Sequence, residues 1–465
     1  MSNNDPGSPA MRWLSPLTLA MGVGMVALLA RLLYIQYFGT PMPFWDQWDG
    51  EGASVIKPLV GGTLQFGHLL TPHNEHRIFP TRLVALATYL ATGQWNNVYE
   101  ARVGALVFCV IPALLVWHAL RDAGAAAGRW LLVPVALLLS LLPFAWENFL
   151  VGFQSQFYFL ILSSVVAVTL VARHHQSIIA LTIAIALSVL ASITMASGLL
   201  TAVAVGATCV MACLYLPGRR APALCATVVL AVIAAVAYSR IPVIAGHGAL
   251  RAQGPGELLL AATHTLAWPA RDNGVFFIVW LPSIIMVLRM LVRRQATPTD
   301  LLMTGLCAWS ALQGLAIAYG RGHDGMRVPP SRYTELFVPG LFANAWFAIQ
   351  LWCVVPTPSR MRTAARTAAV AFALLLVGAL LGQVSKDMGK IQKFSAACRL
   401  QQENVVRYLT SGDPEALKVG EFELPYPDAA RLKAQLDDPA IRQALPVTLV
   451  APSTPTTAEA PLGPR

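Results

Sequence analysis

The sequence 14-LSPLTLAMGVGMVALLARLLYIQYF-38, followed closely by 44-FWDQWDGE-51, decides the fold class. The first stretch is apolar and long enough to cross a bilayer, which takes about 20 residues. The second stretch places three carboxylates and two tryptophans directly after it, and 73-HNEHR-77 follows. Groups this polar are too costly to lie in lipid. We therefore expect this loop to form one wall of a functional site.

The whole chain has the composition of a polytopic helical membrane protein. Of its 465 residues, 56% are hydrophobic and 12% are charged, whereas a soluble globular protein carries about 25% charged residues. The seven cysteines form no Cys-x-x-Cys pair, which argues against a disulfide framework or a thiolate zinc site. The spacing of His73 and His76 is not that of a zinc hydrolase, so we assign no metal site. No nucleic-acid partner is expected.

Apolar runs predict an all-α domain of about eleven transmembrane helices in residues 1–384. They lie near residues 14–37, 98–119, 130–145, 157–172, 177–195, 199–216, 222–240, 272–291, 300–319, 334–355 and 366–384. If the amino terminus is cytoplasmic, every loop on the cytoplasmic side carries positive charge, as topology rules require. We predict a multi-pass protein of the bacterial inner membrane with a periplasmic C-terminal tail.

The first external loop, residues 38–97, and the tail have predicted structure of their own. Residues 48–61 and 78–92 are amphipathic and short for spans, so we expect two helices lying along the membrane interface. Residues 385–450 have a soluble composition with helical signals, which predicts a small helical appendage. Residues 451–465 are rich in proline, threonine and alanine and are predicted to be disordered.

Arginines on the predicted external loops call for an explanation other than topology. The loop 320–333 carries Arg321, His323, Arg327, Arg332 and Tyr333. Its glycines allow close approach of the backbone to a ligand, and its guanidinium groups can bind phosphate in a bidentate manner. An anionic substrate or a lipid headgroup fits this loop.

Glu147 lies in the second external connection, among aromatic side chains, an asparagine and two glutamines. Two interpretations remain open. The aromatic residues are typical of a membrane-interface belt. The same combination of carboxylate, amides and planar rings also suits a surface that binds a sugar.

The layout of the first part of the chain resembles the GT-C superfamily of membrane glycosyltransferases, which includes the protein O-mannosyltransferases and the lipid A aminoarabinose transferase. The matching pieces are Asp46 and Asp49 after the first span, the segment 71-TPHNEHR-77, and 100-EAR-102 at the second span. The segment 331-SRY-333 is similar to Arg-Tyr signatures in related enzymes. The family has adjacent acidic residues, whereas these two are three apart, a spacing that would place both on one face of an α-helix.

The resemblance implies transfer of a sugar from a polyprenyl-phosphate donor to a hydroxyl group of a glycan, lipid or protein. It implies Asp46 as general base, with Asp49 or Glu51 as an alternative or supporting carboxylate. Some family members use a divalent cation, which three carboxylates could hold. The resemblance places one group of residues on the acceptor or phosphate side of the site, namely His73, Glu75, His76 and Arg77. It places a second group on the lipid-phosphate side, namely Arg321, His323, Arg327, Arg332 and Tyr333.

Two other classes of function are consistent with the same features. An O-antigen polymerase or ligase also combines many helices with external arginines and histidines, although its large external loop tends to come late. A lipid-linked sugar transporter or flippase would carry out no chemistry. Such a protein is expected to have charged residues within its spans, whereas the ionisable residues here cluster at predicted helix ends.

Overall fold

The computed structural model describes residues 15–121, 128–353, 359–418, 426 and 428–450. Within these ranges every regular element is a helix, and extended pairing is limited to an isolated bridge between His73 and His76. The prediction of an all-α chain is confirmed for this part of the sequence. The segment 451–465, predicted to be disordered, lies outside the described residues.

The principal helices are numbered here in chain order. They are α1 (Pro16–Phe38), α2 (Phe79–Thr92), α3 (Asn97–Arg121), α4 (Leu132–Leu141), α5 (Ser155–His174), α6 (Ile178–Ser192), α7 (Leu199–Tyr215), α8 (Ala221–Ser239), α9 (Pro255–Leu266), α10 (Phe276–Arg293), α11 (Pro298–Arg321), α12 (Val338–Cys353), α13 (Ser359–Ser411), α14 (Ala429–Asp437) and α15 (Pro439–Ala444).

Shorter helical segments connect them. A π-helix spans Trp48–Ile56, and short α-helices span Lys57–Val60, Phe66–Leu70, Trp146–Leu150, Ser331–Thr334 and Val447–Val450. The 3-10 turns are Arg129–Leu131, Pro143–Ala145, Gly152–Gln154, Ala196–Gly198, His247–Leu250, Asn273–Val275, His323–Gly325, Glu335–Phe337 and Pro414–Lys418. Helices thus form at both positions predicted for the first external loop, 48–61 and 78–92.

Ten helical stretches among the described residues are long and apolar enough to cross a membrane. This agrees with the predicted multi-pass membrane protein. The predicted span 177–195 is α6, which has 15 residues and is shorter than the roughly 20 that a perpendicular span requires. The other predicted spans each correspond to one of the ten.

The centre of the bundle and its periphery differ in burial. In the stretch Ser331–Cys353, which contains α12, 83% of the most apolar window is buried, whereas in α8 only 22% is buried. An apolar helix that is mostly exposed is stable where lipid surrounds it. Helix α12 therefore lies in the core of the bundle, and α8 lies at its edge.

The last long helix joins the bundle to the tail. Helix α13 has 53 residues and continues through residue 385, where the sequence predicted the tail to begin. The tail beyond it packs on the first loop, since Trp48 and Trp95 share an apolar cluster with Leu432, Leu436 and Ile441. The tail thus covers one side of the loop that carries the predicted site.

Candidate functional site

The candidate site is built on a tight turn in the first loop, from His73 to His76. The backbone N–H groups of these two residues each donate to the other's carbonyl, at 2.7 and 3.0 Å. Asn74 adopts a left-handed conformation with φ of 50°, which asparagine tolerates better than most residues. The turn places His73 Nε2 3.7 Å from Asp46 Oδ1, and the His73 ring packs edge-on against Phe153. The two polar motifs of the first loop therefore meet.

Asp46 is a partly exposed carboxylate in a positive environment. Its side chain is 43% exposed. Burial raises the pKa of Asp46, but the neighbouring His73 and the positive charge of Arg332 outweigh this effect, so the pKa lies below its usual value. Asp46 is consequently ionised at neutral pH, and water or a ligand can reach it.

Asp49 and Glu51 do not join Asp46, and the expectation that Asp46 and Asp49 share a helix face is wrong. Asp46 lies in a turn that follows Trp45, whose φ is 45°, and the helix that starts at Trp48 is a π-helix. This geometry sends Asp49 toward the tail, where its Oδ2 accepts from Arg431 Nη2 at 2.9 Å. Asp49 is therefore occupied by a contact within the protein.

Glu51 is completely buried, on the opposite side of the π-helix. Gln47 Nε2 donates to Glu51 Oε2 at 3.2 Å and to Glu100 Oε2 at 3.0 Å, and Trp95 Nε1 donates to Glu51 at 3.3 Å. Burial raises the pKa of Glu51 to about 7, against the hydrogen bonds with Glu100, Trp95 and Gln47. The Glu100 of the 100-EAR-102 segment thus belongs to this sealed acid pair.

Gly50 and Gly52 make this packing possible, because each lies against an aromatic ring. A Cβ atom at Gly50 would come within 2.6 Å of the Phe153 ring, and one at Gly52 within 2.6 Å of the Trp95 ring. Any larger residue at either position would therefore push the π-helix away from Phe153 or Trp95.

His76, Glu75 and Arg77 face other helices. His76 Nδ1 accepts from the Ala196 amide at 3.1 Å, and burial, opposed by Glu75 and aided by His73 and Arg321, lowers the pKa of His76 to about 4. Glu75 Oε1 pairs with His247 Nδ1 at 2.6 Å; burial raises the pKa of Glu75, but this contact leaves it below its usual value. His76 is therefore neutral, and Glu75 is charged.

The late loop reaches the same end of the bundle. Glu147 accepts from the Ser331 hydroxyl, from the Arg332 amide at 3.1 Å and from Arg332 Nη1 at 3.1 Å. The Tyr333 side chain interacts with both Arg321 and Arg332. Two positive charges of this loop act on the first loop, since Arg332 lowers the pKa of Asp46 and Arg321 lowers that of His76. Glu147 is therefore the ion-pair partner of Arg332. Neither the membrane-interface belt nor the sugar-binding surface suggested from the sequence included this role.

His323 and Arg327 lie away from this cluster of charges. His323 is near Glu257 and Asp324, at 4.0 and 3.6 Å, and Arg327 is exposed. Among the described residues, Glu257, His323 and Asp324 form the one group of three metal-ligand side chains whose atoms lie within 4.8 Å of one another. Because Asp324 is 88% exposed and His323 is 49% exposed, water competes with them for any cation.

The three carboxylates of the first loop do not converge on a cation. Asp46 faces His73, Asp49 faces Arg431, and Glu51 faces Glu100. The shared divalent-cation site that three neighbouring carboxylates suggested is therefore not formed by these side chains. The physical reason is the π-helix, which turns successive acidic residues to different surroundings.

The sequence did not reveal the buried ion pair that supports the site from within the bundle. Arg31 Nη2 lies 2.6 Å from Glu335 Oε1, and both side chains are buried. Asn148 Nδ2 donates to Glu335 at 2.8 Å and to the Arg332 carbonyl at 3.0 Å. A lone arginine in the first apolar run was the available signal. Its partner is 304 residues away in sequence, which no local pattern indicates.

Arg82 connects separate parts of the first loop through hydrogen bonds. Its side chain is completely buried and donates to the carbonyls of Gly50, Leu69, Thr71 and Arg77. One side chain therefore ties the π-helix to the chain that leads into the His73–His76 turn. This fixes the distance between the two polar motifs.

The chemistry open to the assembled residues follows from their charges. An ionised carboxylate beside an imidazole can accept a proton from a hydroxyl group, and guanidinium groups facing it can bind phosphate or carboxylate. No protein-family model, curated protein or solved structure matches the chain.

Proposed function

We propose that the protein is a membrane glycosyltransferase of the GT-C type that uses a polyprenyl-phosphate sugar as donor. It transfers the sugar to a hydroxyl group of a glycan, lipid or protein at the outer face of the bacterial inner membrane. The observation that carries the proposal is a partly exposed carboxylate in the first loop, Asp46, which lies 3.7 Å from His73 and also feels the positive charge of Arg332 from a late loop. The resemblance in the order of motifs supports the same reaction.

In this proposal Asp46 is the general base. The Asp46 carboxylate takes the proton from the acceptor hydroxyl while the hydroxyl oxygen forms a bond to the anomeric carbon of the sugar. The bond between that carbon and the phosphate oxygen breaks, and polyprenyl phosphate leaves with the electron pair. Arg332 and Arg321 neutralise the charge that develops on the phosphate. His73 holds the Asp46 carboxylate in position.

The direct test is transfer by the purified full-length protein in proteoliposomes. A panel of polyprenyl-phosphate sugars would be supplied with the host's envelope glycans and lipids as acceptors, and polyprenyl phosphate release and glycosylated product would be measured by mass spectrometry. Asp46→Asn removes the base but keeps the side-chain shape, and we expect transfer to fall at least about 100-fold.

A matched control removes a carboxylate elsewhere. Asp272 is exposed and accepts a hydrogen bond from the Gly274 amide at 2.8 Å, which asparagine can also accept, so Asp272→Asn should retain wild-type transfer. Full activity in Asp46→Asn, with both variants folded, would rule out Asp46 as base and remove the proposed mechanism.

The buried Arg31–Glu335 pair favours a second candidate, a lipid-linked sugar transporter. Ionisable residues inside spans often mark a substrate pathway, and the sequence had placed such residues at helix ends only. A transporter would move a fluorescent lipid-linked sugar between leaflets of a vesicle without forming a new product. Movement without product, unaffected by Asp46→Asn, would favour this candidate over the enzyme.

A further inference from the structure

A cavity of about 310 Å³ opens beside the candidate site, between α6 and α8. Its walls are mainly apolar, and they include Val189, Ile193, Ala196, Val232, Val236 and Ala237. Ligand pockets in proteins span about 300–1,000 Å³, so this cavity has room for one short ligand segment. A whole diacyl lipid would not fit.

The cavity lies at the edge of the bundle. Val189, Val232 and Val236 are 41%, 57% and 53% exposed, although they lie on helices that are apolar along their whole length. In a membrane such side chains contact lipid chains. A hydrocarbon chain can therefore enter the cavity sideways from the bilayer without crossing a polar barrier.

The polar end of the cavity is formed by Glu75 and Arg77. Arg77 donates to the carbonyls of Leu70 and Arg240, which holds its guanidinium group at the rim. Glu75 pairs with His247 through Oε1, and its Oε2 is buried. The rim therefore offers Arg77 as a cation for an anionic group such as a phosphate.

The rim is connected directly to Asp46. Glu75 belongs to the His73–His76 turn, and His73, two residues earlier, faces the Asp46 carboxylate. A ligand whose chain fills the cavity would thus carry its headgroup toward the proposed base.

We propose that this cavity binds the part of a polyprenyl chain nearest its phosphate, with Arg77 contacting the phosphate. The inference rests on the proposed function, since it takes from it the identity of the lipid. The single branched chain of a polyprenyl phosphate matches the size of the cavity, its lateral opening and the charge at its rim.

The test is photolabelling of the full-length protein in proteoliposomes. The probe is a polyprenyl phosphate with a diazirine in the isoprene unit next to the phosphate, and labelled peptides are mapped by mass spectrometry. We expect labels in α6 and in residues 232–242. Labels confined to other helices would overturn the proposal, as would equal labelling of the cavity by a diazirine-bearing phosphatidic acid.

Two tryptophan variants of α8 form a matched pair. Ala237 lines the cavity, whereas Ala235 is exposed and does not. Filling a small apolar pocket costs a ligand roughly tenfold or more in affinity, so Ala237→Trp should lose at least about tenfold of the labelling, and Ala235→Trp should retain it. Ser192→Trp, on α6, fills the cavity from the other side and should repeat the loss if Ala237→Trp does not fold. Undiminished labelling in a folded cavity variant would contradict the proposal.

Labelling also separates this inference from the proposed function. Asp46→Asn leaves the cavity unchanged, so this variant should be labelled like the wild type while its transfer is lost. If transfer survives in Asp46→Asn but the cavity is labelled, the mechanism fails and the lipid site stands. If transfer is lost but labels fall elsewhere, the lipid site fails and the mechanism stands.

Discussion

Asp46 and Glu51 are neighbours in sequence, yet they lie in opposite surroundings. Asp46 is partly exposed and ionised, and its pKa is lowered first by the neighbouring His73 and then by Arg332. Glu51 is fully buried and shares hydrogen bonds with a second acid, Glu100. Acidic residues at similar positions in a motif therefore have different chemistry, because solvation and charged neighbours determine the state of each carboxyl group.

The π-helix produces this difference. π-Helices are rare and are often found at functional sites. Here one starts at Trp48, two residues after Asp46, carries Asp49 toward the tail, and turns Glu51 toward Trp95. One acid is thereby left available to a ligand, and the other two are used in contacts that hold the loop.

Two buried glutamates, Glu335 beside Arg31 and Glu100 beside Glu51, should lose very different amounts of stability when each is replaced by glutamine. Glu335→Gln leaves the Arg31 guanidinium without its counter-charge, and loss of one partner of a buried ion pair costs about 3–5 kcal/mol. Glu100→Gln, by contrast, removes one of two facing carboxyl groups and should change the free energy of unfolding by less than about 1 kcal/mol. Equilibrium unfolding in mixed micelles measures both.

These two variants control for each other, because each replaces a fully buried glutamate by glutamine. Comparable losses of stability would mean that the contact between Glu51 and Glu100 stabilises the protein as much as the Arg31–Glu335 ion pair does. The two carboxyl groups would then not be joined by a shared proton. We expect the free energy of unfolding of Glu335→Gln to be well below that of Glu100→Gln.

The pH dependence of stability should identify Glu51 as the acid that stays protonated. Its pKa is about 7 when folded and near 4.5 when unfolded, so its stabilising contribution is present below pH 4.5 and is lost as pH rises to 7. Glu51→Gln lacks this loss. The melting temperature of the variant relative to the wild type should therefore rise between these pH values, by on the order of 5 °C, and then level off.

Taking the difference between the two proteins removes the other groups that titrate in this range. His76 has its pKa lowered to about 4, so its contribution has the opposite sign, but it is the same in both proteins. A difference that stays flat from pH 4.5 to 7 would show that Glu51 is ionised in the folded protein. It would then no longer differ from Asp46 in charge.

The sequence predicts the helices of this protein well, for a clear physical reason. Long apolar runs must form helices because the bilayer leaves their backbone groups no other partner, and the helices of the bundle follow the predicted spans. The predicted spans, counted with the short helix α6, also place the loops 146–156 and 320–333 at the same end as the first external loop, because two and eight predicted spans separate them from it. These features depend only on local composition and on the number of spans between the loops.

The site within the loops could be predicted only in part. Asp46 and His73 were both selected as candidate site residues, and their side chains lie 3.7 Å apart, but no pattern indicated the π-helix that separates Asp46 from Asp49 and Glu51. The Arg31–Glu335 and Glu75–His247 pairs join segments that are far apart in sequence. Such contacts are set by packing of the whole bundle, which periodicity in a single segment does not specify.

Asp49 gives the smallest expected effect and the most specific test of Asp46. The Asp49–Arg431 pair is partly exposed, at 31% and 62% for the two side chains, and ion pairs of this kind contribute about 0.2–1 kcal/mol. Asp49→Asn should therefore change transfer by less than about fivefold, measured as the initial rate at saturating donor, while Asp46→Asn abolishes it. Since the two variants change the same group three residues apart, a shared defect in folding would affect both. Loss of transfer in a folded Asp49→Asn protein would identify Asp49, and not Asp46, as the base. Because the tail covers Asp49 through Arg431, the tail would then have to move away before an acceptor could bind.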